Sequence, residues 1–411
     1  MYKEIVKCRI SDSKNLISVV NLGEQYLTGV FPKKPNSKIS HGPLELVWCP
    51  DSYLLQLKQS YSLDEMYGEN YGYRSGLNLS MVDHLQNKAH YLEKLCDLSH
   101  NDYVIDIGSN DATTLKAFKT VGINRIGIDP VGKKFEAYYD DGIRLIPEFF
   151  PSETFEKDYG KNIASLITSI SMFYDLEDPK SFIRSIKSNL NKDGIWHFEQ
   201  SYMPSMLRTN AYDTICHEHI EYYSLKPVKM LLDEIGLKII DIQINDINGG
   251  SFAITVAHNS STKYSENKAI IEWMLLQEER MGLNTPKPFR DFEERIFRHK
   301  DDLWELINRL LNDGKKIIGY GASTKGNVLL QFCKLTSEEI PCIAEVNEDK
   351  FGSFTPGTNI PIISEEEARS MNPDYFFVLP WHFKNNIISR ELDFINNGGK
   401  FIFPLPYIEI V

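Results

Sequence analysis

The sequence predicts an α/β chain: two Rossmann-like units in series, with a small mixed unit in front of them. Three observations carry this reading. From about residue 100 onward, apolar runs alternate with helical patterns, which implies a mostly parallel, doubly wound sheet. Tyr103–Leu115 reads as a strand, a turn and a helix start, and Arg125–Pro130 follows as a strand ending on Asp129, about 20 residues after Gly108, the spacing of a nucleotide-binding βαβ unit. Lys316–Asn327 repeats strand, glycine-rich turn and helix near the other end of the chain. The expected units are 1–70, 71–260 and 261–411.

The chain of 411 residues is long enough for two or three real cores. Its 42% hydrophobic and 25% charged content is that of a soluble globular protein. A net charge of −12 and a pI near 5.4 argue against nucleic acid or an anionic membrane as the main partner. No signal peptide or run of membrane-spanning length is evident, and six scattered cysteines make no disulfide framework. The expectation is a cytoplasmic protein, a monomer or weak dimer.

Residues 1–70 mix short β-like runs with turns. Cys8-Arg-Ile-Ser11 and Cys49-Pro-Asp-Ser52 have the shape of two zinc knuckles whose second cysteines are serine. A structural zinc takes four ligands, and His41 is the one histidine in this region, so no zinc is expected. A polar, aromatic, glycine-broken loop follows, Tyr67-Gly-Glu-Asn-Tyr71-Gly-Tyr73-Arg74-Ser75-Gly76, suited to a lid over a ligand. Met81, Leu85, Ala89, Leu92 and Leu95 then predict a helix over 80–98.

After Asp129, Ala164–Ile170 reads as a strand with Ser171 and Met172 at its carboxyl end, Phe182–Leu190 as a helix and Gly194–Gln200 as a strand. Ile235–Ile244 and Ser251–Ala257 are joined by Asn248-Gly249-Gly250, a connection so short that the pair must be antiparallel and at a sheet edge. Residues 265–311 are helical with a break at Asn284–Pro288, bridging units or forming the outer layer of one.

The two turns differ in chemistry. A dinucleotide loop needs several glycines, so that backbone N–H groups approach a pyrophosphate. Gly108-Ser-Asn110-Asp111-Ala112 keeps one glycine and places Asp111 where phosphate would sit. S-adenosylmethionine carries an ammonium and a sulfonium and no phosphate, so Asp106 and Asp111 suit it, with Asp129 accepting from its ribose. Asn110 tolerates the left-handed turn. The rear turn, Gly321-Ala-Ser323-Thr324-Lys325-Gly326-Asn327, has small residues, hydroxyls and a lysine at a helix start, all suited to a diphosphate. It is not a Walker A loop, since Asn327 and Val328 follow Gly326.

Between the two folds, Cys216-His217-Glu218-His219-Ile-Glu221-Tyr222-Tyr223 packs histidines, acids and tyrosines together. On a strand His217 and His219 would face one way and suit a metal. The reading preferred is general base catalysis, a histidine oriented by a carboxylate beside tyrosines that bind an oxyanion.

Tyr73–Gly76, Asp106–Asp111, Phe198–Tyr202, Cys216–His219, Glu221–Ser224, Gly319–Gly326, Pro356–Pro361 and Gly398-Gly399 together resemble, in order and over almost the whole chain, the sugar C-methyltransferases. The resemblance implies a small zinc unit, a class I methyltransferase core and a C-terminal nucleotide-sugar unit. It implies a dTDP- or GDP-linked 4-keto sugar as substrate. His219, held by Glu218 or Glu221, would take the C3 proton, with Tyr73 and His217 stabilising the enediolate. Tyr71, Gly108, Ser171 and Met172 would join the acids around the cofactor; Arg74, Tyr202 and Tyr222 would join Ser323, Thr324, Lys325 and Asn327 around the acceptor. Ser11, Ser52 and Ala112 depart from the family pattern. The rivals are an O- or N-methyltransferase, a non-catalytic nucleotide-sugar-binding protein and a dehydrogenase using the rear turn.

Overall fold

A computed structural model describes residues 2–62, 66 and 73–411. Tyr71 and most of its loop lie outside the described residues. The first unit is an antiparallel sheet of β1 (Ile17–Tyr26), β2 (His41–Trp48) and β3 (Leu55–Leu57). Gly42, Leu44 and Leu46 are its inward positions, at the period of two that a pleated strand imposes. A two-residue strand from far along the chain, Glu221–Tyr222, completes this sheet, Glu221 opposite Gln56 and Tyr222 opposite Leu55. The candidate catalytic segment is therefore tied to the first unit by backbone pairing.

The middle unit opens with α1 (Leu79–Cys96), capped by the Asn78 side chain, which accepts from the Ser80 N–H at 3.0 Å. Then come β4 (Tyr103–Ile107), α2 (Thr113–Ala117), β5 (Asn124–Ile128), β6 (Ile143–Ile146), β7 (Ala164–Ile170), α3 (Pro179–Asn189), β8 (Leu190–Ser201), α4 (Leu225–Ile235), β9 (Leu237–Asn245) and β10 (Ser251–His258). The sheet order is β9-β10-β8-β7-β4-β5-β6, with β10 antiparallel to both neighbours and the pairs from β8 to β6 parallel. Strands grow outward from β4 in both directions, so the switch point, where such sheets bind ligands, lies at the carboxyl ends of β4 and β7. The antiparallel edge pair is the one its glycine turn predicts. β6 was not expected: four residues interrupted by Arg144 give too short a run to read.

The long helical stretch serves two units. Ile271 and Met274 of α5 (Lys268–Arg280) join the apolar cluster of Val228, Leu237 and Ile239, so α5 is an outer layer of the middle sheet. Phe289, Phe292, Ile296 and Leu303 of α6 (Lys287–Asn312) pack with Val20, Leu46 and Trp48 of the first unit and with the rear unit. That rear unit is β11 (Ile317–Tyr320), α7 (Thr324–Cys333), β12 (Ile343–Glu345), β13 (Ile362–Ser364), β14 (Tyr375–Val378), β15 (Lys400–Phe403) and β16 (Glu409–Ile410). Its order is β13-β12-β11-β14-β15-β16, parallel except for the last strand. First and rear units thus share one apolar core. No described helix is long and apolar enough to cross a membrane.

Candidate active site

The loop from β4 to α2 turns by placing Gly108, Asn110 and Ala112 at φ of 74°, 49° and 59°. At Gly108 a Cβ would stand 3.2 Å from Met172 Cγ, so the glycine lets the two strand ends close up. The Asn110 N–H donates to Asp129 Oδ2 at 2.8 Å, and the Val131 N–H donates to Asp129 Oδ1 at 2.7 Å. A carboxylate has about four lone-pair sites, so Asp129 keeps acceptor capacity for a ribose hydroxyl beyond these backbone donors. Asp106, 3% exposed, accepts from Thr168 Oγ1 at 2.6 Å. Burial pushes its carboxyl up to about 7 against that hydrogen bond, and Asp129 adds to the rise.

The same loop holds the lid-side segment. Asn110 accepts from the Ser75 N–H at 3.0 Å and donates to the Tyr73 carbonyl at 3.2 Å; Asp111 accepts from the Gly76 N–H at 3.0 Å. Arg74 stacks over Tyr138 at 4.6 Å, with its Nε 3.8 Å from Asp111. The backbone of Tyr73, a residue 49% exposed, and the side chain of Arg74 thus border the cofactor loop; the sequence reading gave Tyr73 to the enediolate and Arg74 to the acceptor.

Beneath the strand ends lies a buried network that sequence reasoning missed. Glu199 on β8 accepts from His84 at 2.6 Å, from Lys88 at 2.7 Å and from Asn245 at 2.9 Å. Burial alone would raise Glu199, but His84 and Lys88 outweigh it and hold the carboxyl at about 2. The backbone carbonyl of Glu199 accepts from the Ser171 N–H at 2.7 Å, which links the network to the cofactor side. Its signal in the sequence was a glutamate in the midst of an apolar strand, which cannot be buried without partners.

The segment after Ala211 is a short turn, Tyr212–Thr214, and then irregular chain as far as Glu221. Without a strand, His217 and His219 do not share a face. The His217 ring sits edge-on to Tyr61 at 4.6 Å and faces the backbone of Gln25 and Gly42 in the first unit. His219 instead lies 4.3 Å from Tyr174, and its Nδ1–H donates to the Thr214 carbonyl at 3.0 Å. A carbonyl only accepts, so the proton is on Nδ1 and Nε2 carries the lone pair. Burial, helped by the charge of Lys325, holds His219 down to about 3, neutral at ordinary pH.

Three expectations are corrected here. Neither acid orients His219: Glu218 accepts from Thr28 Oγ1 at 3.4 Å, and Glu221 accepts from Tyr223 at 2.6 Å beside Arg9. Gly29 makes room for Glu218, since a Cβ there would come within 2.5 Å of its Oε1. Tyr202 donates to Glu278 at 2.8 Å, while Glu278 also accepts from the Leu225 and Lys226 N–H groups, so this hydroxyl is committed to packing α4 and α5. In the rear turn, Ser323 accepts from the Gly326 N–H at 3.0 Å as the cap of α7 and keeps its O–H as a donor, whereas Asn327 is buried and donates to the Thr28 carbonyl at 2.7 Å, so Asn327 is not free to cradle a diphosphate in this state.

Lys325 reaches furthest. Its Nζ donates to the Asn248 carbonyl at 2.6 Å, and its charge acts on His219, Asp213 and His382. Asp213 accepts from Trp381 Nε1 at 2.8 Å. Thr324 is half-buried close to Gly29, and Tyr222 is buried beside Cys216. His219, Asp213 and His382 thus gather around Lys325 where the middle and rear units meet; Asp213 and His382 were not foreseen.

A switch-point loop lined by buried acids, in place of a glycine row for phosphate, fits adenosylmethionine by charge. With residues 81–242 matching a methyltransferase-domain family model, it defines an adenosylmethionine-dependent methyltransferase. Residues 246–406 match a C-methyltransferase C-terminal domain and residues 8–67 a zinc binding domain. The C-methyltransferase NovU of Streptomyces niveus is 30% identical over 412 aligned residues, 100% of this chain and 97% of that protein. The chain belongs to the family its motifs resemble, the sugar C-methyltransferases, and is an adenosylmethionine-dependent C-methyltransferase. Among solved structures it is similar to methyltransferases from Aquifex aeolicus (14% identity, 44% of this chain and 98% of that one, TM-score 0.31) and Clostridium acetobutylicum (11%, 44% and 92%, 0.33).

Proposed function

We propose that the enzyme methylates the carbon next to the keto group of a nucleotide-diphosphate-linked 4-keto sugar, C3 in the first instance. The observation that carries this is His219: a half-buried, neutral imidazole whose Nδ1 is fixed by the Thr214 carbonyl, leaving Nε2 as base, with the Lys325 ammonium within electrostatic reach. Adenosylmethionine, when bound by Asp106, Asp129 and the Gly108–Asp111 turn, supplies a methyl group on sulfonium.

The chain's own residues do the rest. His219 Nε2 takes the proton that the neighbouring ketone acidifies. Lys325 offers positive charge to the oxygen that becomes anionic, the term that usually dominates such steps. Partial burial of His219 and Lys325 lowers the local dielectric and strengthens that attraction. The nucleotide end would lie toward α7 and β12, where Lys350 donates to the Ala322 carbonyl at 2.8 Å and offers a second cation near the turn.

The test is a panel of nucleotide-linked 4-keto sugars assayed by mass for a gain of one methyl group. Products methylated on oxygen or nitrogen, or no product with any member, would overturn the reading. Fragmentation of the product separates C3 from the other carbon beside the ketone.

A further inference from the structure

The two knuckles of the first unit converge, but not as a metal set. Cys8, Cys49 and Ser52 are at most 1% exposed. Cys8 Sγ stands 3.1 Å from Ser52 Oγ, and Cys49 Sγ stands 3.6 Å from Ser11 Oγ, so each thiol pairs with the hydroxyl of the opposite knuckle. Both turns keep one shape: the Asp12 N–H donates to the Cys8 carbonyl at 3.1 Å, and the Tyr53 N–H to the Cys49 carbonyl at 2.8 Å. In each, the residue after the serine is left-handed, Asp12 at φ 58° and Tyr53 at φ 61°. That conformation costs a side-chain-bearing residue roughly 1–2 kcal/mol, so something must hold a tyrosine there.

Zinc does not fit as that holder. A tetrahedral ion with sulfur at 2.3 Å and oxygen near 2.0 Å spreads its ligands about 3.5 Å apart, which the Cys49–Ser11 pair meets and the Cys8–Ser52 pair does not, and structural sites use thiolate or imidazole rather than hydroxyl, of which only two thiols are present. His41, the histidine of this region, is exposed and lies 5.2 Å from Tyr26. Among the described residues no group of three or more histidine, cysteine or acidic side chains is placed to hold a metal.

We propose that this is a metal-free clasp: two crossed thiol–hydroxyl hydrogen bonds close a pair of knuckles shaped for zinc, leaving a latent metal site two substitutions away. The clasp has work to do. Cys8, Ile10, Cys49 and Leu54 join the apolar cluster of the middle unit, and Arg9 between them donates to the Leu57 carbonyl at 2.7 Å and to Ser60 Oγ at 2.8 Å. It therefore fastens the first unit to the methyltransferase core without a metal supply.

The experiment compares full-length wild type with Ser11→Cys/Ser52→Cys, both expressed with zinc and desalted. Metal analysis should find zinc far below stoichiometric in wild type and one ion per chain in the double variant. Cobalt loading of the variant should give a thiolate charge-transfer band. A chelator should lower the melting temperature of the variant and leave that of wild type unmoved. One equivalent of zinc in wild type, a chelator-sensitive wild type, or a folded variant that takes no metal would each overturn the proposal. If the variant does not fold, the wild-type zinc content and chelator response decide alone.

Discussion

The ammonium of Lys325, at the start of α7, donates to the carbonyl of Asn248 at 2.6 Å, across the junction of the rear and middle units. Asn248 is itself left-handed, at φ 55°, and its side chain reaches Ser171 Oγ at 3.5 Å beside the cofactor loop. Removing the charge should act on both sides of the junction. Lys325→Met should raise the acceptor KM and, by relieving one of the two causes that lower His219, move the acid limb of kcat/KM to higher pH. A pH–rate profile checks this; an unmoved limb would detach Lys325 from His219.

His219→Asn should lose about 10²–10⁴-fold in kcat, the usual contribution of a positioned base, with cofactor affinity unchanged. The sign of the pH dependence follows from its lowered pKa. A solvent histidine begins to protonate near pH 6.5, whereas His219, held near 3, stays a base well below that. Activity of the wild type should not fall at pH 6 through this group. Kinetics and cofactor titration on one preparation separate the two effects.

Asp106, pushed up to about 7, is partly protonated at neutral pH in the free enzyme. A cationic ligand favours its ionised form, so the Kd for adenosylmethionine should fall as pH rises from 6 to 8. Asp106→Asn should bind more weakly and lose that slope. Calorimetry at three pH values is sufficient.

Lys88 and Glu199 form a buried pair at 2.7 Å. Lys88→Met leaves the carboxylate with His84 and Asn245 alone and should cost about 1–3 kcal/mol in stability, while Lys88→Met/Glu199→Gln should recover part of it. The carboxyl is held below its unfolded value, so its contribution is present above pH ~4.3 and lost as pH falls toward 2. Denaturant unfolding of the three proteins tests both statements.

Ala112 holds φ 59° where the family pattern has glycine. Ala112→Gly relieves roughly 1–2 kcal/mol of left-handed strain against a smaller entropic cost, so a modest rise in melting temperature is expected. A fall would show that the Ala112 methyl group contributes more through packing.

What could be read in advance follows from how local the signal was. Ala164–Ile170 and the antiparallel pair around Gly249-Gly250 are complete within their own residues: an apolar run bounded by turn chemistry. The acid-rich turn at Asp106–Asp111 was legible for the same reason. The orientation of His219 was not, because its partner is a backbone carbonyl and carries no residue identity. Glu221 was misjudged because pairing with Gln56, 165 positions away, turns it toward the first unit. The rear turn was read as an open phosphate cradle, yet Asn327 is spent on Thr28 of another unit, a contact only tertiary structure creates.

The most direct measurement is hydrogen exchange at the sugar carbon. A nucleotide-linked 4-keto sugar in heavy water, with enzyme and demethylated cofactor product, should gain one deuterium beside the ketone. With His219→Asn it should gain none above the uncatalysed rate. Equal exchange in both proteins, or methyl transfer by wild type without any exchange-competent proton, would contradict a carbon base at His219.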